Sequence, residues 1–465
     1  MSAVRRSVSG ALCAASLLMT PARVAADDAL PRYRLKVGQE LTYSLKSGSS
    51  FGEGSKAEPY GSDDEWHVWV VRQNADGSWR LLLRESRSLW YGRDKKVQDG
   101  GQTLDYCDFF PDGRHVEPAL FGYSPDKGLD PGRVLPRLPV DADAAARGWE
   151  GTFAADEART RYTAEDARPA AGKPWIFTGV RETPLDKVYL LASRTKYTYD
   201  PGRGVIGKAT ETTSRGWEGR KNTVSIELRE VKQADAAATA QLAAEVDRYF
   251  AATEVYDDLT SQAESSTDAA ALYAKAEAAI RDVRGKLTLP LFRERVDAIL
   301  KDHGFLAKIF VESAADRAAM LGKPSPDWET KDFQGNTRAL KDYRGKVVVL
   351  DFWGRGCGWC MRSLPQVARL AEDFKGEPVA VLGMSLDSKE EDARFVIKKM
   401  GLSYPVLKAK DLRKTFCPHG VPVMIILDAK GVIRDYQCGY QPTLHAAASA
   451  SIRKLLAESG ATTRR

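Results

Sequence analysis

The chain has 465 residues, more than one ordinary domain holds and enough for two or three. With 43% hydrophobic residues it can build a sizeable core, which excludes wholesale disorder. A formal charge of +6, with no dense Lys/Arg block beyond the first residues, makes no case for nucleic acid as a partner.

The start of the chain reads as an export signal. Arg5 and Arg6 precede the short apolar stretch "VSGALCAASLLM", and Val24 and Ala26 offer small residues before Asp27. Residues 1–26 are therefore expected to be a cleaved signal peptide. The mature chain is then extracytoplasmic, in the periplasm or cell envelope. The apolar stretch falls well short of the ~20 residues that span a bilayer. Membrane association is expected only if this segment stays uncleaved. A lipid on Cys13 would want a small residue where Leu12 stands. Without residues 1–26 the chain keeps Cys107, Cys357, Cys360, Cys417 and Cys438, an odd number, in a compartment where disulfides persist.

Residues 30–233 read as a β-rich domain, a barrel or a sandwich. "EWHVWVV" alternates, "RQNADG" turns, and "SWRLLLRES" returns. "KVYLLASRTKYTYD", "VIGKATETTSRGW" and "TVSIELREV" follow with turns at "PGRG" and "EGRKN". Cys107, beside the turn in "CDFFPDGRHV", reads as a packed thiol. His67 and His115 have no ligand partners nearby in sequence and read as ordinary residues. No motif identifies what this domain binds.

Residues 234–320 change to helical periodicity. Leu242, Val246, Tyr249 and Phe250 stand at i, i+4, i+7 and i+8. Leu272, Ala276, Ala279 and Ile280 repeat that spacing, as do Phe292, Val296, Ile299 and Leu300. Each set makes one apolar helix face. A helical connector is expected, with Gly304 and Gly322 as its stops; an oligomerisation element is the other reading.

Residues 322–460 read as an α/β domain. "KVVVLDFW" is a continuous apolar run, as in a strand buried on both faces. A helix pattern runs through Leu364, Val367, Leu370 and Phe374, and "PVAVLGMSL" is a second buried strand. Ser388 and Glu391 have capping-box spacing before a helix that Gly401 closes. "VPVMIILD", "AKG" and "VIRDYQC" read as a hairpin, and a last helix covers roughly 443–457.

Cys357 and Cys360 fall in "DFWGRGCGWCMRSLP", where the first strand hands over to the helix. A thiol there meets unpaired N–H groups and the positive end of the helix dipole, which favour thiolate. Cys360 lies one helical turn on, close enough to resolve a mixed disulfide formed at Cys357. A structural zinc site would want a second C-x-x-C, so no metal is expected. Covalent haem would want His where Met361 stands. A plain structural disulfide is the remaining alternative.

Together "GKPSPDWETKDFQGNTRALKDYRGKVVVLDFW", "CGWC", Pro365, "VLGMSLD" and "GVPVMIILDAKGVI" resemble, in order, the thioredoxin-like superfamily. The resemblance covers about residues 322–445. It is most similar to the extracytoplasmic TlpA/ResA-like, redoxin (AhpC/TSA-type) thiol–disulfide oxidoreductases. It implies that Cys357 attacks and Cys360 resolves. It implies that Pro422, after Val421, is the cis-proline that lets the neighbouring backbone pair with an extended substrate segment. Asp351 matches the buried acid that takes the proton of the resolving cysteine, and burial would raise its pKa. Gly356 stands where the family usually has Trp, and Ser363 where many members carry Glu.

Several neighbours read as supports. Trp359 is expected as an exposed substrate contact. Arg355 adds positive field near Cys357 or is a solvated turn residue. His419 tunes the thiolate or is exposed. Cys417 and Cys438 flank the hairpin and could form a disulfide or a relay pair.

The resulting expectation is a multi-domain, exported thiol–disulfide oxidoreductase that exchanges disulfides with protein partners through Cys357 and Cys360. It uses a separate electron donor or acceptor and no dissociable cofactor. A peroxiredoxin-like peroxidase and an envelope binding or scaffold protein with an accessory thioredoxin-like domain are the alternatives.

Overall fold

Strict alternation over long runs produces long strands. The computed structural model describes residues 30–51, 58–116, 129–153, 158–182, 192–215, 220–266, 268–441 and 443–460; the expected signal peptide and Cys13 lie outside these. Eleven strands form one antiparallel sheet: β1 (Gln39–Phe51), β2 (Glu58–Gln73), β3 (Trp79–Tyr91), β4 (Lys96–Phe109), β5 (His115–Val116), β6 (Trp149–Phe153), β7 (Ala158–Ala164), β8 (Trp175–Glu182), β9 (Ala192–Asp200), β10 (Val205–Arg215) and β11 (Arg220–Gln233). Their order is β5-β4-β3-β2-β1-β11-β10-β9-β8-β7-β6, so the first and last strands pair at the centre. Leu41, Tyr43 and Leu45 alternate inward with Trp66, Val68 and Val70 and meet Phe177 and Tyr197 from the far strands in one core. The sheet therefore rolls onto itself. Its end strands, β5 and β6, do not pair with each other, which makes it an open barrel rather than a two-sheet sandwich. Cys107 is buried in that core. His67 is less ordinary than its sequence context suggests: Glu40 and Glu65 flank its ring at 2.6 and 2.5 Å.

The outer face of the barrel carries a second apolar set, Val71, Leu82 and Leu104, and the helices cover it. Val246, Tyr249 and Phe250 of α1 (Ala236–Ser265), Ala276 and Ile280 of α2 (Ala269–Lys286), and Phe292, Val296 and Ile299 of α3 (Pro290–Met320) join it in one cluster. Asp235 caps α1 by accepting from the Ala238 N–H at 2.8 Å. Buried Glu245 holds the turn before α3 through the N–H groups of Thr288 and Leu289, both at 2.9 Å. Gly304 does not stop a helix; α3 runs through it and ends just before Gly322, whose φ is +75°. A mid-helix glycine costs only about 1 kcal/mol relative to alanine, and burial of Phe292, Val296, Ile299 and Ala314 on the same helix outweighs it. Among the described residues no helix is long and apolar enough to cross a membrane.

The C-terminal part has the thioredoxin-like arrangement. A small hairpin, β12 (Glu329–Lys331) and β13 (Thr337–Ala339), precedes β14 (Val347–Trp353), α4 (Gly358–Asp373), β15 (Val379–Ser385), α5 (Glu390–Met400), β16 (Val406–Lys408), β17 (Val423–Leu427), β18 (Ile433–Cys438) and α6 (Leu444–Glu458). The five-stranded sheet has the order β16-β15-β14-β17-β18, with β14 parallel to β15 and antiparallel to β17. All seven residues of β14 are buried; each of its apolar side chains contributes roughly 1.5–3 kcal/mol by burial. Val347, Val349 and Trp353 face one core with α4 and α6, and Val348, Leu350 and Phe352 face the other. Gly401 closes α5 in the left-handed region, as its position suggests. The capping box is not formed: the N-cap is Lys389, one residue past Ser388, and no side chain caps it.

Candidate active site

The turn after β14 delivers Cys357 to the N-cap of α4. Cys357 and Cys360 form a disulfide with their Cα atoms 5.2 Å apart. The Cys360 N–H donates to Cys357 Sγ at 3.0 Å, using one of the donors that a helix start leaves unpaired. Cys360 is fully buried and Cys357 is partly exposed, so only one of the two sulfurs is within reach of a partner. Cys357 Sγ also lies 3.5 Å from the Val421 carbonyl oxygen. The Val421–Pro422 peptide bond is cis. These two segments, 64 residues apart, meet because β14 and β17 are sheet neighbours, with Phe352 opposite Val423.

Asp351 is 2% exposed in the centre of β14. By strand alternation it shares the face of Val349 and Trp353, the face on which Cys360 and α4 pack. Its Oδ2 has no hydrogen-bond partner among the described residues, and burial raises its pKa to about 7. Directly across the ladder stands Gly383. A methyl group there would sit 3.1 Å from Trp353 Nε1, Tyr404 Cε2 and Val406 Cγ2, so the glycine makes room for the indole and the phenol. Burial, and to a lesser degree Asp351, push the Tyr404 hydroxyl well above its ordinary value.

The rim is built from side chains distant in sequence. Trp359 is 39% exposed and stacks on Tyr440 with ring centres 5.3 Å apart. The Arg362 guanidinium covers Trp359 at 4.8 Å. Buried Ser363 turns its hydroxyl to the Trp359 carbonyl at 3.0 Å. Arg355 is held away from the role of a field source: its guanidinium is 2.6 Å from Asp392 and stacks over Phe395, and its N–H donates to Asp387 at 2.9 Å. His419 turns to α3, between Glu312 at 3.0 Å and Asp316 at 3.1 Å.

The suggested Cys417–Cys438 disulfide is not formed. Cys438 stands opposite Val423 in the hairpin, and its Sγ meets Ser313 Oγ of α3 at 3.5 Å. Cys417 is buried, and burial pushes its thiol up to about 12. A thiol held that high is a poor nucleophile at neutral pH, which weighs against the relay reading. Tyr440, Tyr404 and Gly383 are site residues that the sequence does not flag. The one signal for Tyr440 is its place just after β18, whose end lies beside the start of β17. Among the described residues no group of three or more His, Cys, Asp or Glu could hold a metal ion.

A family profile described as the AhpC/TSA family matches residues 321–436. The thioredoxin-like protein YneN of Bacillus subtilis (strain 168) is 31% identical over 121 residues, 25% of this chain and 71% of that protein. The thiol-disulfide oxidoreductase ResA of Bacillus thuringiensis subsp. konkukian (strain 97-27) is 28% identical over 115 residues, 24% of this chain; the chain spans 66% of that relative's length. A crystal structure of a putative thiol:disulfide interchange protein DsbE from Chlorobium tepidum matches at 26% identity, with 29% of this chain and 97% of that one covered and a TM-score of 0.27.

Proposed function

This chain belongs, through residues 321–436, to the AhpC/TSA family of thioredoxin-like proteins, and we propose that it is an extracytoplasmic thiol–disulfide oxidoreductase acting on protein partners. The observation that carries the reading is the partly exposed Cys357 sulfur at the head of α4, bonded to buried Cys360 and 3.5 Å from the Val421 carbonyl.

In the reduced form the Cys360 N–H and the dipole of α4 stabilise the Cys357 thiolate. The thiolate attacks one sulfur of a partner disulfide. A bond forms between Cys357 and that sulfur, the partner's S–S bond breaks, and the first partner sulfur leaves as thiolate. Asp351 takes the proton of Cys360, and the Cys360 thiolate attacks Cys357 Sγ. That closes the Cys357–Cys360 disulfide and releases the second partner sulfur. Two electrons pass to the partner, and two protons end on its thiols. A separate dithiol donor must then return the pair to the reduced form. Val421 and Pro422 border the sulfur and offer backbone to an extended partner segment, with Trp359 beside them. Asp351 near neutrality suits proton exchange in either direction.

Insulin-disulfide reduction by the mature chain tests the reading. Wild type should accelerate insulin precipitation by dithiothreitol, Cys357→Ser should not, and Cys360→Ser should accumulate a mixed disulfide. Equal rates for wild type and Cys357→Ser would refute it. Export is tested by N-terminal sequencing of the secreted chain, expected to begin at Asp27.

A further inference from the structure

The inner face of the open barrel changes character along its strands. One end is apolar, with Leu41, Tyr43 and Leu45 of β1 among the side chains that fill it. Towards the other end the inward positions become Ser47, Asp64, Glu85, Glu211, Thr213 and Asn222. The segment 129–133 enters the same space and adds Asp130 and Arg133. The result is a cavity of about 540 Å³, within the ~300–1,000 Å³ usual for small-molecule sites. An interior shaped only by stability would be apolar here, because buried polar groups without partners are costly.

The charges around this cavity do not balance among the described residues. Arg181 pairs with Asp130. Arg133 spans Glu211 at 3.1 Å and Glu85 at 3.6 Å, and Arg87 lies 3.0 Å from Glu85. Four carboxylates thus face three guanidinium groups, and Asp64 is the one with no ion-pair partner. Asp64 is 7% exposed, and its Oδ2 accepts from Ser62 Oγ at 3.0 Å, but its Oδ1 has no hydrogen-bond partner among the described residues. The Asn222 side-chain oxygen in the same lining is also without one. Burial raises the Asp64 pKa against the opposing Ser62 hydrogen bond, and Glu85 adds to the rise.

The lining holds these two acceptors and one buried donor, Nε of Arg181, outside the hydrogen bonds among the described residues, so its surplus is one carboxylate charge. An anion would compete for guanidinium groups already paired with carboxylates. A bare metal ion would leave most of the volume empty and would find no three-ligand cluster among the described residues. We propose that this cavity binds a small organic cation, a molecule with an ammonium or guanidinium group directed at Asp64 and a second N–H donor that reaches Asn222, which stands further along the strands at the level of Tyr60. Its N–H donors satisfy the two acceptors and its charge completes the balance, while its carbon body packs on Tyr60, Leu89 and Val224 at the lining. The β-rich domain then has a ligand of its own, independent of the thiol chemistry. Both a polyamine and a basic amino acid have this chemistry.

Isothermal titration calorimetry on the full mature chain tests the proposal with spermidine, L-arginine and sorbitol. Saturable one-site binding is expected for spermidine or L-arginine, and the one that binds names the source; sorbitol should not bind. Asp64→Asn keeps the volume and removes the charge, and should weaken that binding roughly tenfold or more. Asn222→Ala should weaken it less and serves as the second variant should Asp64→Asn fail to keep the wild-type circular dichroism. Cys357→Ser should bind as wild type does. No saturable binding of either cation, equal affinity in both cavity variants, or sorbitol binding as tightly as the cations would overturn the proposal.

Discussion

Replacing Asp351 with leucine removes a buried carboxyl and keeps its branched shape, with methyl groups larger than the oxygens they replace. Burial raises this carboxyl from 3.8 to about 7 in the folded chain. Between those values the unfolded chain is ionised while the folded chain holds its proton. The folded state therefore binds more protons, and stability falls as pH rises through that window. Little of the cost is present at pH 4. By pH 8 it is complete, and three pKa units at 1.36 kcal/mol each make it about 4 kcal/mol. At pH 5 only about 1.5 kcal/mol has accrued. Asp351→Leu should thus stabilise the domain, and by about 3 kcal/mol more at pH 8 than at pH 5. Hydrogen exchange read by mass spectrometry on the Val347–Trp353 strand measures it. Comparing variant with wild type at each pH cancels the intrinsic exchange rates. The protection gained should grow by roughly a hundredfold between the two pH values. Any packing gain from leucine is independent of pH and drops out. An equal gain at pH 5 and pH 8 would refute a raised Asp351 pKa and, with it, a proton held near neutrality beside Cys360.

The same variant should slow insulin reduction at pH 7 by roughly 10²-fold or more, as loss of a general base does, with the deficit shrinking as pH rises and hydroxide replaces the lost base. Trp359→Ala should lower kcat/KM for insulin several-fold while leaving reaction with a small aromatic disulfide unchanged; equal loss on both would place the indole in structure rather than in contact with partners. Iodoacetamide at pH 7.5 should label Cys357 of the reduced chain and spare Cys417, whose thiol burial has pushed to about 12, until denaturant is added. Gly383→Ala should destabilise the domain by about 1–3 kcal/mol, since its methyl group meets three neighbours at 3.1 Å; the same exchange measurement on β14 reads it.

What was legible in the sequence had a short range. The run "KVVVLDFW" lacks alternation, and its strand is buried on both faces. The helical stripes from Leu242 to Leu300 each need only i, i+4 neighbours, and their central residues lie in the core. Side-chain partners further apart were not legible. Arg355 faces Asp392, His419 faces Glu312 and Asp316, and Trp359 faces Tyr440, each across a sheet or an interface between helix and hairpin. Gly304 and Ser388 mislead for a related reason: local stop and cap signals weigh about 1 kcal/mol each, and the packing of a long helix overrides them.

Two buried acids divide along the same line. Asp351 sits inside a strand of unbroken apolar residues, and a carboxyl in such a run is anomalous on its face. Asp64 sits in "GSDDEWHVWVV", where a charged residue at the start of an alternating strand looks solvated. Only the roll of the sheet, which brings β2 opposite β7 to β9, turns Asp64 inward and surrounds it with Glu85, Arg87 and Arg133. Curvature of an open barrel is the sum of small twists over many strands, and no window of sequence carries that sum. A buried charge that serves chemistry within one strand–turn–helix unit can be read from the chain; one that serves a cavity enclosed by the rolled sheet needs the whole sheet.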